Sequence, residues 1–232
     1  MNIEHTLDTN TSELLSELRK EVEIDFQQKD INYCEVFTQN GRSTIFYNPN
    51  IVDNESIAHE LLHIWLNRFN YVIGNHIFLS FQSDWKLSKV FNKFLCDYIE
   101  NCFDHYKMYP KYLEMGFSPE KFIMNGLEEK CSIEDIKKLH LKFLSKYKPD
   151  SINRFIGYLI SIYADHVDNN YEEHLKLLEK KEPELFRIVT DFWNKWIEFD
   201  IENIDAIHNS DIGLAESFMT EMEDWIEYKK LK

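Results

Sequence analysis

Glycine and proline are scarce in this chain, 6 and 5 in 232 residues. So few turn formers leave little room for glycine-rich phosphate loops, collagen-like repeats or barrels with many tight turns, and they point to a helix-rich protein. The four cysteines, Cys34, Cys96, Cys102 and Cys131, form no Cys-x-x-Cys pair, so neither a zinc knuckle nor a thioredoxin-like motif is indicated. They read as reduced, mostly buried thiols. No apolar run approaches membrane-spanning length, and the first residues carry acids (Glu4, Asp8, Glu13, Glu17) where a secretory signal has a basic and then an apolar region. The expectation is a cytoplasmic protein with no membrane partner. Positive charge is short as well: 26 Lys plus Arg face 41 Asp plus Glu, a formal charge of −15. That balance argues against a nucleic-acid partner. Apolar material is plentiful, at 44% hydrophobic and 15% aromatic, which suffices for a packed core.

Leu14, Leu18, Val22 and Phe26 recur every four residues and predict a helix from about Ser12 to Gln28. Two β-type runs, Ile31 to Thr38 and Ser43 to Tyr47, flank Asn40-Gly41 and predict a hairpin. Asp53 or Asn54 can cap a helix from Glu55 to about Phe69. A long helix is expected from near Asp84, with Leu87, Phe91, Phe94, Tyr98 and Cys102 on one face, while Ile77 to Phe81 is too short to classify. Ser118-Pro119-Glu120 reads as a capped helix start. Helices are expected over Ser132 to Lys146, Ser151 to Val167, Tyr171 to Lys180, Pro183 to Phe199 and Leu214 to Lys230, with a boundary only at Lys148-Pro149-Asp150-Ser151. The fold class is therefore α+β, mainly α: a small N-terminal β-hairpin or sheet packed on one central helix, with a helical C-terminal half.

One segment carries chemistry. His59-Glu60-Leu61-Leu62-His63 is H-E-x-x-H on a predicted helix, where residues four apart are offset by only about 40°, so both imidazoles can reach one ion. Glu60, offset by about 100°, lies beside the open coordination position, where a base is needed. Its apolar flanks, Ile57, Leu61, Leu62, Ile64, Trp65 and Leu66, predict a buried helix, and a buried His-Glu-His set is costly unless an ion and hydrogen bonds satisfy it. The bland alternative puts His59 and Glu60 on a wet strip, with His63 a hydrogen-bonded core histidine.

The unit Ser43-Thr-Ile-Phe-Tyr-Asn-Pro, a short spacer, and then Ala58-His-Glu-Leu-Leu-His-Ile-Trp resembles the strand-then-active-helix unit of zincin metallopeptidases. It is most similar to the small cytosolic ImmA/IrrE-like group. The resemblance covers roughly Ile31 to Pro110 and departs from that group at Leu62, where glycine is usual. It implies a zincin-like metallopeptidase domain over 1–147; the helical C-terminal half lies outside the resemblance and reads as an extension over 151–232 that is either separate or part of the same domain. The resemblance also implies that the strand before the helix edges the cleft and pairs with extended substrate.

The third ligand stays open between two residues. Zincins of the Glu-ligand type take it from Glu-x-x-x-Asp on a later helix, and Glu100-Asn-Cys-Phe-Asp104 has that spacing. On the helical wheel, however, Glu100 and Asp104 share a stripe with Lys86, Lys89, Lys93 and Asp97, whereas His105 shares the face of Leu87, Phe91 and Tyr98. Asn101 and Asp104 are candidates for orienting a ligand. A histidine six residues past the motif is excluded, since Phe69 stands there. His76 falls in a loop, Asp165-His166 and Glu172-Glu173-His174 read as charged helix surface, and the aromatic residues of 191–197 read as core stripe. The expectation is a Zn²⁺-dependent metallopeptidase acting on a peptide or protein substrate. His59, His63 and either His105 or Glu100 hold zinc, and Glu60 is the general base. Its rival is a non-catalytic protein in which the same metal site is structural or empty and the helical C-terminal half binds a protein partner. Intact Glu60 favours the enzyme.

Overall fold

Helices begin where a side chain can satisfy the first free amide groups, and the first two helices both follow an aspartate. The computed structural model describes residues 3–123, 126–167, 169–204 and 210–232. In it Asp8 accepts from the Thr11 amide at 2.8 Å and opens α1 (Thr9–Leu18). Asp53 accepts from the Ser56 amide at 2.8 Å and opens α2 (Asn54–Asn67). The chain forms two compact units, residues 1–70 with 106–128 and residues 71–105 with 129–232. That division does not fall at Lys148-Pro149, where the sequence suggests a boundary. There the Tyr147 amide donates to the Lys230 carbonyl and the Lys232 amide to the Tyr147 carbonyl, both at 2.8 Å, so this stretch is tied into its own unit.

The first unit holds a three-stranded sheet in the order β1 (Glu23–Gln28), β3 (Arg42–Tyr47), β2 (Glu35–Gln39). β3 runs parallel to β1 and antiparallel to β2. The hairpin turns at Asn40 and Gly41, with φ of 52° and 73°, the left-handed region that these two residue types tolerate. Two expectations are corrected. The helix predicted to Gln28 stops at Leu18, and the chain re-enters as β1, because four-residue spacing is also a multiple of the strand period of two. The strand preceding the motif helix, β3, is central, so the edges of the sheet are β1 and β2, and α2 packs on the β2 side as well as on β3. Along β3, Ser43, Ile45 and Tyr47 are buried in alternation. Helix α2 packs against α1, β2 and β3, and its Ile57, Ala58, Leu61, Leu62 and Ile64 are fully buried.

The second unit is helical: α3 (Ile73–Phe81), α4 (Leu87–Val90), the first half of α5 (Lys93–Glu114), α6 (Ile133–Lys138), α7 (Pro149–Tyr163), α8 (Glu172–Lys181), α9 (Pro183–Glu198) and α10 (Asp211–Ile226), with a short ribbon of β4 (Lys142–Phe143) and β5 (Lys146–Tyr147). Its core is aromatic. Phe81 stacks on Phe91 at 3.8 Å between ring centroids, Phe192 on Phe218 at 4.0 Å and Phe103 on Trp196 at 4.6 Å. The long helix expected from Asp84 is broken. Phe91 leaves helical geometry with ψ of 72°, and Asn92 restarts the helix by accepting from the Leu95 amide at 2.9 Å. Phe94, read as inward, is 79% exposed. The helix expected to Lys146 ends at Lys138 and gives way to the β4/β5 ribbon, and Ser118-Pro119 opens only a 3-10 turn, Pro119–Lys121. The unclassified Ile77 to Phe81 belongs to α3. Among the described residues no helix is long and apolar enough to cross a membrane.

Helix α3 meets α5 backbone to backbone at Gly74. A Cβ there would stand 2.8 Å from Glu100 Cβ and 3.0 Å from the Cys96 carbonyl oxygen, closer than packed atoms approach. Gly74→Ala is therefore expected to lower stability by about 1–3 kcal/mol through overpacking, read as a fall in the urea midpoint with unchanged slope. A midpoint equal to wild type would show that the helices can separate without cost.

Candidate metal centre

The two motif histidines stand one turn apart on α2, with ring centroids 5.1 Å apart and planes inclined by 67°. A third ring walls them: Phe122, buried just after the 3-10 turn, lies 5.0 Å from His59 and is itself packed by Tyr109 at 4.9 Å and Tyr112 at 5.0 Å. His105 stands on α5 at the last residue before the chain passes from the second unit back into the first. One ligand atom from each of His59, His63 and His105 lies within 4.8 Å of the others, and all three residues are half-buried. A group of three imidazole nitrogens of this kind could hold a metal ion.

Glu60 is 8% exposed and faces β2. Burial is the largest influence on its carboxyl and raises its pKa to about 7, against the lowering effects of His63 and of the Val36 amide that hydrogen-bonds it. Val36 belongs to an edge strand. Cys34, half-buried just before that strand, is pushed up to about 12 by burial and by the nearby charges of Glu60 and Asp53, and so is held as a thiol.

The other predicted site residues lie elsewhere. Glu100 accepts from the Gly74 amide at 3.3 Å and is not among the clustered ligand atoms. Asp104 accepts from the Tyr71 hydroxyl at 2.6 Å, and Asn101 is exposed. His76 lies on α3 rather than in a loop, with Nδ1 3.0 Å from an Asp211 carboxylate oxygen that also accepts from the Val72 amide at 2.8 Å. His174, expected on a solvated face, is 3% exposed, set edge-on to Tyr171 at 5.2 Å and 3.9 Å from Glu129. The aromatic residues Phe192, Trp193 and Trp196 are core, as their spacing suggests. Two contributors escaped the sequence reading, the Val36 amide and the Phe122 ring. The Asn-Gly hairpin sets the register of Val36, whereas nothing local marks Phe122.

Compared with known proteins, the chain matches no family model, no curated protein and no solved structure.

Glu100 links this region to pH. Burial first, and then the charge of Asp104, raises its carboxyl pKa to about 7, above the ordinary value of 4.5. A carboxyl whose pKa is raised on folding favours the native state fully below the unfolded value, and that contribution is lost as pH climbs through the folded value. Gln cannot ionise and still accepts from the Gly74 amide. Glu100→Gln should therefore gain stability relative to wild type, on the order of 1 kcal/mol, between about pH 5 and about pH 8. Thermal melts of both proteins across that range check it, and parallel curves would contradict it.

Proposed function

We propose that the chain is a zinc-dependent metallopeptidase. What supports this most is the gathering of three imidazoles, His59, His63 and His105, within 4.8 Å beside a buried carboxylate, Glu60. Three histidines leave one of four tetrahedral positions for a reactant, whereas a structural zinc site closes with four protein ligands. That count also favours the enzyme over a non-catalytic metal protein. A zinc ion held there would act as a Lewis acid, acidifying a water molecule and polarising a peptide carbonyl.

The rest of the chemistry falls to the chain. Glu60 accepts a proton from the attacking water and returns it to the departing amine, so that one carboxylate serves both halves of the reaction. The Val36 amide keeps one lone pair of Glu60 engaged and its orientation defined. The Phe122 ring, backed by Tyr109 and Tyr112, covers one side of the His59 imidazole.

Two measurements test the proposal. Purified protein should hold about one zinc per chain after reconstitution, with His63→Ala or His105→Ala releasing it and Glu100→Ala shifting affinity only modestly. Zinc-free, properly folded wild type, or equal effects of His105→Ala and Glu100→Ala, would count against the ligand set. Glu60→Gln should keep the metal and lose cleavage of a degenerate peptide pool by about two orders of magnitude or more, since the amide cannot take the proton. Undiminished cleavage would remove Glu60 from the mechanism.

A further inference from the structure

The chain's net charge of −15 conceals two segments whose charged side chains are all lysine, although Glu134, Glu182 and Glu184 from neighbouring segments pair with Lys138, Lys142 and Lys229. From Ile136 to Pro149 the charged side chains are Lys137, Lys138, Lys142, Lys146 and Lys148, and from Tyr228 to Lys232 they are Lys229, Lys230 and Lys232. The fold joins these two segments. β4 pairs antiparallel with β5, and the 230–232 backbone lies parallel to β5 through the two hydrogen bonds of Tyr147. Eight of the 26 basic residues thus lie on the two-stranded ribbon, on the segment bridged to it and on the approach from α6, all within the second unit. Tyr147 anchors the ribbon, with its ring 5.6 Å from Trp225 and its hydroxyl donating to buried Glu182 at 2.9 Å.

The tip of the ribbon is apolar and open. Phe143 is 57% exposed, Leu144 89% and neighbouring Tyr228 88%, and the Lys232 ammonium stands 4.9 Å over the Phe143 ring. Leu144 holds φ of 55°, a left-handed turn conformation that suits Gly or Asn and costs Leu energy. A large aliphatic side chain is therefore presented to solvent at a position where a small polar residue would be both more stable and more soluble. Five of the lysines, Lys137, Lys146, Lys148, Lys230 and Lys232, have no carboxylate within 4.0 Å among the described residues.

We propose that this ribbon docks on an anionic lipid surface, with Phe143, Leu144 and Tyr228 entering the interface and the surrounding lysines meeting lipid phosphates. Charge complementarity with an apolar tip selects this occupant. Lysine stems can lie along acyl chains while their ammonium groups stay among headgroups, and an exposed Leu gains only where an apolar phase is on offer. The ribbon carries no arginine, the side chain that best grips phosphate bidentately in nucleic acid, and a nucleic-acid groove has no use for an aliphatic tip. The acidic remainder of the chain does not forbid the contact, since charges more than about 8 Å from the surface are screened at physiological salt. This inference is independent of the histidine cluster.

Sedimentation of the full chain with vesicles tests it. Binding is expected to phosphatidylcholine vesicles containing about one-third phosphatidylserine, to be about tenfold weaker on phosphatidylcholine alone, and to fall away in about 1 M salt. Leu144→Asn relieves the left-handed position and removes the apolar tip, so it should weaken binding while the melting temperature holds or rises. Lys146→Glu with Lys230→Glu should weaken binding further. The proposal is overturned by no binding to anionic vesicles, by equal binding to both compositions, or by undiminished binding of both variants. Capture of polyglutamate or RNA without vesicle binding would overturn it too, by assigning the lysines to another polyanion.

Discussion

The arrangement around α2 follows from one constraint: a helix buried on most of its circumference also carries His59, Glu60 and His63. Ile57, Ala58, Leu61, Leu62 and Ile64 leave it no freedom to rotate, because each would have to give up a fully buried position. The polar strip is thereby pointed in one direction. Burying Glu60 carries a penalty that only specific partners offset, and one of them is the Val36 amide of the edge strand β2. The sheet thus does more than cover α2. Its hairpin turn sets which β2 amide faces the carboxylate, so Asn40 and Gly41, remote in sequence from the motif, fix the orientation of Glu60.

Helix α5 is constrained from the other side. Glu100 and His105 are five residues apart, about 140° around a helix, so α5 cannot turn both toward the same point. The close approach at Gly74 engages one of them: with no Cβ there, α3 settles against Cys96 and Glu100, and Glu100 accepts from the Gly74 amide. His105 is the residue grouped with His59 and His63 as a possible metal ligand. Tyr71, hydrogen-bonded to Asp104, holds the same turn of α5.

Much of this was legible in the sequence because it depends on local chemistry. The Asn-Gly hairpin, the Asp53 cap, the motif on α2 and the aromatic stripe of α9 each declare themselves within a few residues. The misreadings have equally physical sources. Leu14, Leu18, Val22 and Phe26 satisfy both helical and strand periods, and only the pairing of β1 with β3 resolves them. The wheel that placed His105 inward assumed one helix from Asp84, yet Leu87 and Phe91 precede the break at Asn92, so the argument joined two helices of different phase. His174 is flanked by Glu172, Glu173 and Lys176, which mask the buried stripe it makes with Leu178 one turn on. The β4/β5 turn, Leu144-Ser145, lacks Gly, Asn, Asp or Pro and offers only the weak signal of a single Ser.

That last turn also shows why net charge is a weak guide to partners. Charge acts over about a Debye length, roughly 8 Å at physiological salt, so what a partner meets is a local sum and not the total of −15. The lysines of 137–148 and 229–232 are separated by about 80 residues of sequence, and the segment between them contributes most of the acids of the C-terminal half. Averaged along the chain, the basic character disappears. It is restored only because the 230–232 backbone hydrogen-bonds to Tyr147, a pairing of distant segments that no window of sequence contains. The same backbone contacts that complete the ribbon therefore create its electrostatic character, and loss of the Tyr147 anchor would disperse both together.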